Sequence, residues 1–393
     1  MSRRFCAALI LSSWLPVACA APPPLGGHPD RGCITDVRPG ADHFPDKSTV
    51  LDATNFTLTY HQHYQVLTVK QPYPHGDPES YVLVRCGAPP AHLPADLAGA
   101  QRITVPVTSL YSASITQLGM VAELSRVDTV TGVADTADVV DSALRQRISD
   151  GKTVGYASGN QVNVEAVLAA HPDVVVTAGT DDSSYRKLRD GGISVVADAE
   201  WLESTPLGRA EWIKVLAALT GTEKKAAEVY ARVREDYHAL VRRSAGARPV
   251  AVLPGTMYQG TWLMPSGGAY AGRLLRDAGA SYPWSDETSS GTLELNFESV
   301  YARAGQSPLW LVDSNWKTVE NAVAEDHRYA DLAAVRNGQV WSATKAVAPE
   351  GGNDYWERGA ARPDLILGDL VAILHPELAP GHEFSFYRRV AAA

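Results

Sequence analysis

The sequence lacks an apolar run long enough to cross a membrane, since no segment approaches the roughly 20 apolar residues that a spanning helix needs. Basic residues are also in the minority: 35 lysines and arginines stand against 44 acidic residues, and the formal charge is −9. Binding a polyanion requires clustered basic side chains, so this balance excludes nucleic acid as a partner and disfavours an anionic membrane surface. The composition, 45% hydrophobic and 20% charged, is that of a folded protein.

The short motifs that mark common catalytic centres are missing as well. The sequence contains no G-x-S-x-G elbow, no H-E-x-x-H pair, no phosphate-binding P-loop and no G-x-G-x-x-G turn. His61 and His63 would share one strand face and could in principle hold a metal, but exposed turn residues are the simpler interpretation. We therefore expect no catalytic residues and no resident metal or cofactor.

The first 20 residues have the pattern of an export signal. A basic start at Arg3 and Arg4 precedes an apolar run, and Pro16 breaks this run before the small residues that end at Ala20. We expect cleavage after Ala20 and export of the mature chain. Cys19 follows a small residue, as at the lipid-attachment site of bacterial lipoproteins, so a lipid anchor at Cys19 is the alternative.

Cysteine is scarce, with four in the chain, and Cys6 and Cys19 lie within the signal. Cys33 and Cys86 then remain as a pair in an oxidising compartment, and we expect a disulfide between them. A zinc site is the alternative for this pair, but two further ligands at suitable spacing are missing.

The hydrophobic pattern divides the mature chain into a small β-rich part and two α/β lobes. Residues 21–100 combine a leader rich in Pro and Gly with short alternating strands. From there on, apolar β-branched runs alternate with helical stretches, starting at Ile103–Val107, which is typical of parallel sheets covered on both faces. We assign residues 101–205 to an N-terminal lobe and residues 247–393 to a C-terminal lobe.

Residues 206–246 have the pattern of linker helices between the lobes. Thr205 and Pro206 supply an N-cap and a proline in the first turn. Thr222 is expected to cap a second helix that runs to Arg243, a length of roughly 33 Å at about 1.5 Å per residue. One face of this helix is apolar and the other is charged, which predicts a strut rather than a flexible hinge.

Four segments match a known family in their order along the chain: Asn163–Val167, His171–Val176, Trp201–Trp212 and Gly351–Glu357. They resemble the helical-backbone class of periplasmic solute-binding proteins of ABC importers, the group that takes up iron-siderophores, haem and cobalamin. The resemblance covers most of residues 100–390. It implies an α/β fold of two doubly wound lobes joined by a long backbone helix, to which the small β-rich N-terminal extension is added.

The resemblance also implies a function. We expect a periplasmic, monomeric binding protein that captures an iron chelate or a cobalamin-type ligand, which can itself carry iron or cobalt, and delivers it to an ABC permease. Two alternatives remain open. One is a secreted enzyme that uses the cleft between the lobes, with Asp181, Glu200 or Asp354 as acid or base. The other is a scavenger or sensor without a transporter.

Ligands of doubly wound lobes bind at loops beyond the carboxyl ends of the parallel strands. Aromatic side chains in these loops would offer flat apolar contact to a macrocycle or chelate. The candidate ligand-binding residues are Tyr111, Tyr156, Tyr185, Trp201, Tyr258, Tyr270, Trp316 and Trp356.

Glu165 and Glu298 each sit early in a predicted helix, two residues after an asparagine. A carboxylate in this position gains from the helix dipole, which is sufficient reason for its placement. The family resemblance implies a second role, because one glutamate from each lobe of these proteins contacts arginines of the permease. We therefore expect Glu165 and Glu298 to be permease-docking residues.

Overall fold

The computed structural model describes residues 33–35, 40–89, 92–159 and 161–392. The predicted export signal at residues 1–20, including Cys19, lies outside the described residues. Within the described part of the chain, no helix combines the length and the apolar character needed to cross a membrane.

The N-terminal extension is a four-stranded sheet in which β1, β2 and β3 form an antiparallel meander and β4 lies parallel to β3. The strands are Phe56–Tyr60 (β1), Tyr64–Val69 (β2), Glu79–Arg85 (β3) and Gln101–Val105 (β4). Cys33 and Cys86 form the predicted disulfide, just after β3. The backbone at Gly87 packs directly against the backbone at Ile34. A side chain at position 87 would not fit there, because its Cβ would lie 2.2 Å from the carbonyl oxygen of Ile34.

The strand predicted at Ile103–Val107 was expected to begin the N-terminal lobe, and this expectation is wrong. It is β4, and it pairs with β3 in the extension. The physical reason lies in its burial pattern: Ile103 and Val105 are buried, whereas Arg102 and Thr104 are exposed. A strand covered on one face belongs at the edge of a half-solvated sheet, not in a parallel sheet packed on both sides.

The N-terminal lobe contains a parallel sheet in the order β11-β10-β5-β6-β7 and a short hairpin of β8 and β9. The strands are Leu110–Ser112 (β5), Val130–Val133 (β6), Val154–Gly155 (β7), Ala157–Ser158 (β8), Gln161–Val162 (β9), Val174–Val176 (β10) and Val195–Val196 (β11). The helices are Ile115–Glu123 (α1), Ser142–Ser149 (α2), Val164–Ala170 (α3) and Ser183–Asp190 (α4). All three residues of β10 are buried, as the β-branched run predicts.

Three helices link the lobes: Pro206–Ala210 (α5), Ile213–Thr220 (α6) and Glu223–Ser244 (α7). Thr205 caps α5 as predicted, accepting a 3.0 Å hydrogen bond from the N–H of Gly208. The hydroxyl of Thr222 makes no cap and instead pairs with Thr220 at 2.9 Å. The 22 residues of α7 pack against both α6 and a long helix of the C-terminal lobe, so α7 is the predicted strut.

The C-terminal lobe repeats the architecture, with a sheet in the order β15-β12-β17-β18-β19 that is parallel except for β19, and a small antiparallel sheet of β13, β14 and β16. The strands are Val250–Pro254 (β12), Thr256–Tyr258 (β13), Thr261–Pro265 (β14), Ala280–Ser281 (β15), Thr292–Leu295 (β16), Leu309–Val312 (β17), Val340–Ser342 (β18) and Arg388–Arg389 (β19). The helices are Tyr270–Asp277 (α8), Phe297–Ala304 (α9), Val319–Glu325 (α10), Ala333–Arg336 (α11), Asp354–Glu357 (α12) and Pro363–Leu374 (α13).

A buried carboxylate fixes the extension to the linker helices. The carboxylate of Glu211 accepts hydrogen bonds from the backbone N–H groups of Leu51, Asp52 and Ala53 at 2.8, 2.6 and 2.7 Å. Lys214, which is also buried, donates to the same carboxylate at 2.5 Å and lies 4.4 Å from the ring centre of Tyr230. A buried charge with this many partners is well satisfied, so the extension and the linker form one packed unit.

A second buried carboxylate joins the two lobes. Glu357 of α12 accepts hydrogen bonds from the N–H groups of Val140 and Asp141, which precede α2, at 2.6 and 2.7 Å. Gly119 of α1 lies so close that a Cβ there would be 2.0 Å from the carbonyl oxygen of Glu357. Burial raises the pKa of Glu357 to about 7, with smaller contributions from Asp141 and Asp354.

Replacing Glu211 by alanine should remove the anchor of the extension. Three backbone N–H groups would lose their acceptor, and the buried ammonium of Lys214 would keep only the carbonyl of Thr49 and lose its counter-ion. We therefore expect a loss of about 3–5 kcal/mol in the free energy of unfolding. Urea unfolding followed by tryptophan fluorescence measures it. The matched control is Glu228→Ala on the exposed face of α7, which should change stability by less than about 0.5 kcal/mol. Equal effects of the two changes would contradict the anchoring role.

The raised pKa of Glu357 predicts a pH dependence of stability. A carboxyl whose pKa is higher in the folded than in the unfolded chain stabilises the fold at pH values below 4.5, and this contribution is lost as the pH rises through about 7. The loss should reach about 2–3 kcal/mol. Glu357→Gln should flatten the unfolding free energy between these pH values, whereas Glu350→Gln in the exposed loop nearby should not. An unchanged pH profile in Glu357→Gln would refute the assignment.

Candidate functional site

The loops after the carboxyl ends of the parallel strands of both lobes meet in one region. The segment after β6 contacts the segment between β18 and α12, because a Cβ at Gly352 would lie 2.0 Å from the carbonyl oxygen of Asp138. Glu357 makes its two hydrogen bonds beside this contact. The cleft between the lobes is therefore built from the loops that bind ligands in doubly wound folds.

A cavity of about 240 Å³ opens at the carboxyl ends of β12, β17 and β18. Its wall is mostly apolar, and three aromatic residues contribute to it. The lining includes Leu263, Leu311, Asp313, Tyr355, Trp356 and Tyr387. A concave, apolar surface with few polar groups is the usual form of a small-molecule site.

Asp313 is the only charged side chain among the described residues that line this cavity. It follows β17 directly, and no ion pair or hydrogen bond from another described residue reaches its carboxylate. The side chain is exposed, but the surrounding protein desolvates it and raises its pKa. In the wall beside it, the buried rings of Tyr355 and Tyr387 pack edge to face, with their centres 5.9 Å apart.

Three of the predicted ligand-binding aromatics are exposed at the cleft loops. Trp356 is 40% exposed and lines the cavity. Trp201 follows β11 and is 44% exposed, and its indole N–H donates to the carbonyl of Ala178 at 3.1 Å, which holds the ring in place. Tyr258 is 64% exposed and ends β13 at the turn of the β13–β14 hairpin.

The remaining predicted aromatics are covered by protein. Tyr111, Tyr156 and Tyr185 belong to the core of the N-terminal lobe, where the rings of Tyr111 and Tyr156 stack at 5.1 Å. Trp316 packs in an aromatic group with Trp310 and Tyr329 and donates to Glu325 at 2.7 Å. Tyr270 is half-buried beneath Arg209, at 4.8 Å. Ligand contacts by these five stay a prediction, and the function proposed below relies on the exposed three.

The three acids considered for an enzyme do not form a catalytic constellation. Glu200 is buried in an ion pair with Arg209 at 3.1 Å, and Asp354 pairs with Arg358 at 2.7 Å. Asp181 is exposed after β10. Next to Glu200, burial raises the pKa of the buried carboxyl of Asp198, and the charge of Glu200 adds to the effect.

The predicted histidine pair does not gather further metal ligands. His61 stacks on Tyr64 with ring centres 4.3 Å apart, and His63 faces His43 at 5.1 Å. No group of three or more His, Cys, Asp or Glu side chains placed to hold a metal occurs in residues 33–35, 40–89, 92–159 and 161–392.

Glu165 and Glu298 occupy equivalent positions in the two lobes. Each lies in the first turn of a helix, α3 or α9, that begins with an asparagine cap: Asn163 accepts from Ala166 at 3.0 Å and Asn296 from Ser299 at 2.8 Å. Both carboxylates are exposed. Glu298 also accepts a hydrogen bond from Arg328 at 3.0 Å.

The sequence reasoning missed Asp313, Tyr387 and the contact of Glu357 between the lobes. Asp313 carries a usable signal, because it directly follows the apolar run Leu309–Val312 that forms β17, yet Trp316 was the candidate in the loop after this strand. Tyr387 lies beyond the last predicted helix, and nothing in its local pattern predicts that the chain returns to the cleft.

Comparisons with known proteins agree on the architecture. The sequence pattern of the family described as periplasmic binding protein matches residues 110–347. An uncharacterised lipoprotein of Methanocaldococcus jannaschii is 26% identical over 294 residues, which cover 72% of this chain and 69% of the relative. The N-terminal extension lies before the matched family region.

Solved structures share the fold at low sequence identity. The periplasmic vitamin B12 binding protein BtuF of Vibrio cholerae is 18% identical with a TM-score of 0.50, covering 70% of this chain and 99% of that one. The periplasmic haem binding protein HutB of the same species is 19% identical with a TM-score of 0.53, covering 66% and 98%. CeuE of Helicobacter pylori, solved with Ni(II) bound, is 18% identical with a TM-score of 0.56, covering 72% and 88%.

The family pattern spans more than half of the chain, and the two lobes on a long α7 helix have the predicted helical-backbone architecture. The chain therefore belongs to the periplasmic binding protein family, in its helical-backbone class.

Proposed function

We propose that this protein captures a metal-chelate ligand, either an iron-siderophore, haem or a cobalamin, in the cleft between its lobes and delivers it to an ABC permease. The observation that carries the proposal is the apolar cavity at the carboxyl ends of β12, β17 and β18, with Trp356 exposed in its wall. Trp201 of the opposite lobe adds a second exposed ring held by a hydrogen bond. Rigid aromatic surface of this kind supplies large contact area at low entropic cost.

The size of the cavity supports a ligand that is only partly enclosed. A volume of about 240 Å³ holds one arm or ring of a chelate, but not a whole macrocycle. The rest of the ligand would lie between the lobes, where we expect it to contact Trp201 and the hairpin that carries Tyr258. Two of the solved relatives are named for ligands of the proposed class, vitamin B12 for BtuF and haem for HutB.

Delivery to a permease is supported by the paired glutamates. Glu165 and Glu298 place one exposed carboxylate at the start of a helix on each lobe. Two carboxylates on separate lobes could pair with two basic sites on a membrane partner, because complementary charges steer docking and fix its orientation. The ion pair of Glu298 with Arg328 is exposed and weak enough to exchange for a permease arginine.

Trp356→Ala should weaken ligand binding by roughly tenfold to a hundredfold, because it removes an aromatic wall of the cavity. Binding is measured on purified protein by absorbance titration with cyanocobalamin, haem and ferric siderophores. Native mass spectrometry of protein from its own host first identifies the ligand that it carries. Tyr301→Ala, which removes an exposed ring on α9 outside the cavity lining, is the control and should leave the affinity unchanged. Normal binding by Trp356→Ala would place the ligand elsewhere.

Charge reversal separates docking from ligand capture. The double change Glu165→Arg and Glu298→Arg would put like charges face to face at the permease and should cost several kcal/mol of docking, on the order of 2–5 kcal/mol. Uptake by cells should fall sharply, whereas the affinity of the purified protein for its ligand should stay within about twofold. Glu228→Arg on α7 serves as a matched surface reversal. Normal uptake by the double variant would exclude these glutamates as docking residues.

A further inference from the structure

The charge inside the cleft cavity restricts the class of ligand. Asp313 is the one charged side chain in the described lining, and no described residue forms an ion pair with it. The carboxylate is exposed to solvent, and the apolar wall on its protein side partly desolvates it and raises the pKa of Asp313. A ligand that fills the cavity would displace this solvent, so it must itself bring a partner for Asp313.

The N-terminal side of the cleft carries charge of the same sign. A second, smaller depression at the carboxyl ends of β5 and β6 is lined by Asp135 and Asp138, and no described basic residue lines it. Both side chains are exposed, and burial together with the charge of Asp135 raises the pKa of Asp138. Gly352 packs against Asp138, so this depression adjoins the loop that leads to Trp356.

The arginines beside these loops are already bound to other groups. Arg358 pairs with Asp354 at 2.7 Å, and Arg209 pairs with Glu200 at 3.1 Å. Arg388 donates to the carbonyl of Trp316 at 2.7 Å and to the carbonyl of Thr344 at 3.2 Å. Arg358 and Arg209 are therefore neutralised by acids, and Arg388, which keeps its charge, is not among the described residues that line the cavity.

We infer that the ligand is a neutral or cationic chelate that directs an ammonium or amide N–H donor at Asp313, and that anionic chelates are rejected. The inference rests on the proposed function, since it assigns a chemical class to the same cleft. An ammonium or amide donor would satisfy the carboxylate in a charge-assisted hydrogen bond. An anionic ligand would instead meet carboxylates from both lobes, which is an effective way to discriminate against it.

The inferred charge class of the ligand can be tested by measuring the equilibrium binding of four metal chelates to the full mature chain. Ferrioxamine B carries a pendant ammonium, and cyanocobalamin is neutral with several side-chain amides. Haem carries propionates, and ferric enterobactin is an anionic tris-catecholate. We expect ferrioxamine B or cyanocobalamin to bind at least about a hundredfold more tightly than either anionic probe. Tighter binding of an anionic probe would overturn the inference while leaving the proposed function intact. Failure of all four to bind would overturn both.

Asp313→Asn tests the residue itself. The change keeps the shape of the side chain and removes a charge that the apolar wall partly desolvates, so the variant should fold about as stably as the parent. Its affinity for the preferred neutral or cationic probe should fall by about tenfold to a hundredfold, and its discrimination against haem should shrink. Asp331→Asn, an exposed acid of the same lobe outside the cavity lining, should change neither. Unaltered affinity and discrimination in Asp313→Asn would refute the role of this carboxylate.

Discussion

The geometry of the cleft depends on the buried carboxylate of Glu357, which accepts two backbone N–H groups from the opposite lobe. Its neighbour Trp356 forms part of the cavity wall, so the contact between the lobes also sets the position of that ring. The close approach at Gly119 and Gly352 leaves no room for a side chain on either residue. Because packed interfaces have discrete rather than continuous arrangements, the lobes cannot shift by small amounts without breaking these hydrogen bonds.

The N-terminal extension also restricts movement of the lobes, because it packs against the linker region. Glu211 and Glu203 collect backbone N–H groups from residues 51–55 and hold them on the linker helices. Phe56, which follows, packs edge-on against Trp212 at 5.0 Å. The linker is therefore buttressed along its length rather than free to bend. A cleft that is largely formed before binding spends less free energy on ordering when a ligand enters.

The local sequence pattern was sufficient to predict most helices and strands. The pairing of strands and the burial of individual side chains depend on the tertiary structure and were not predictable in this way. The helix starts at Thr205, Asn163 and Asn296 were predictable because a capping side chain acts within one turn. The sheet to which β4 belongs was not predictable, because its pairing with β3 depends on contacts between segments that are distant in the sequence. The same limit applies to the aromatics: the sequence placed Tyr111 at a strand end, but only the packed structure shows its ring stacked on Tyr156 in the core. Asp313 was overlooked because the significance of a lone carboxylate lies in the apolar wall around it.

The charge distribution connects ligand capture with docking. The chain has a formal charge of −9, and the acids at the cleft and at the starts of α3 and α9 contribute to it. A net negative field slows the approach of anionic chelates before any contact forms, and it accelerates encounter with a basic permease surface. The local preference of Asp313 and the field of the whole chain therefore act in the same direction. On the proposed function, a neutral or cationic ligand would meet no electrostatic penalty at either stage, and Glu165 and Glu298 would stay available on the two lobes for a permease.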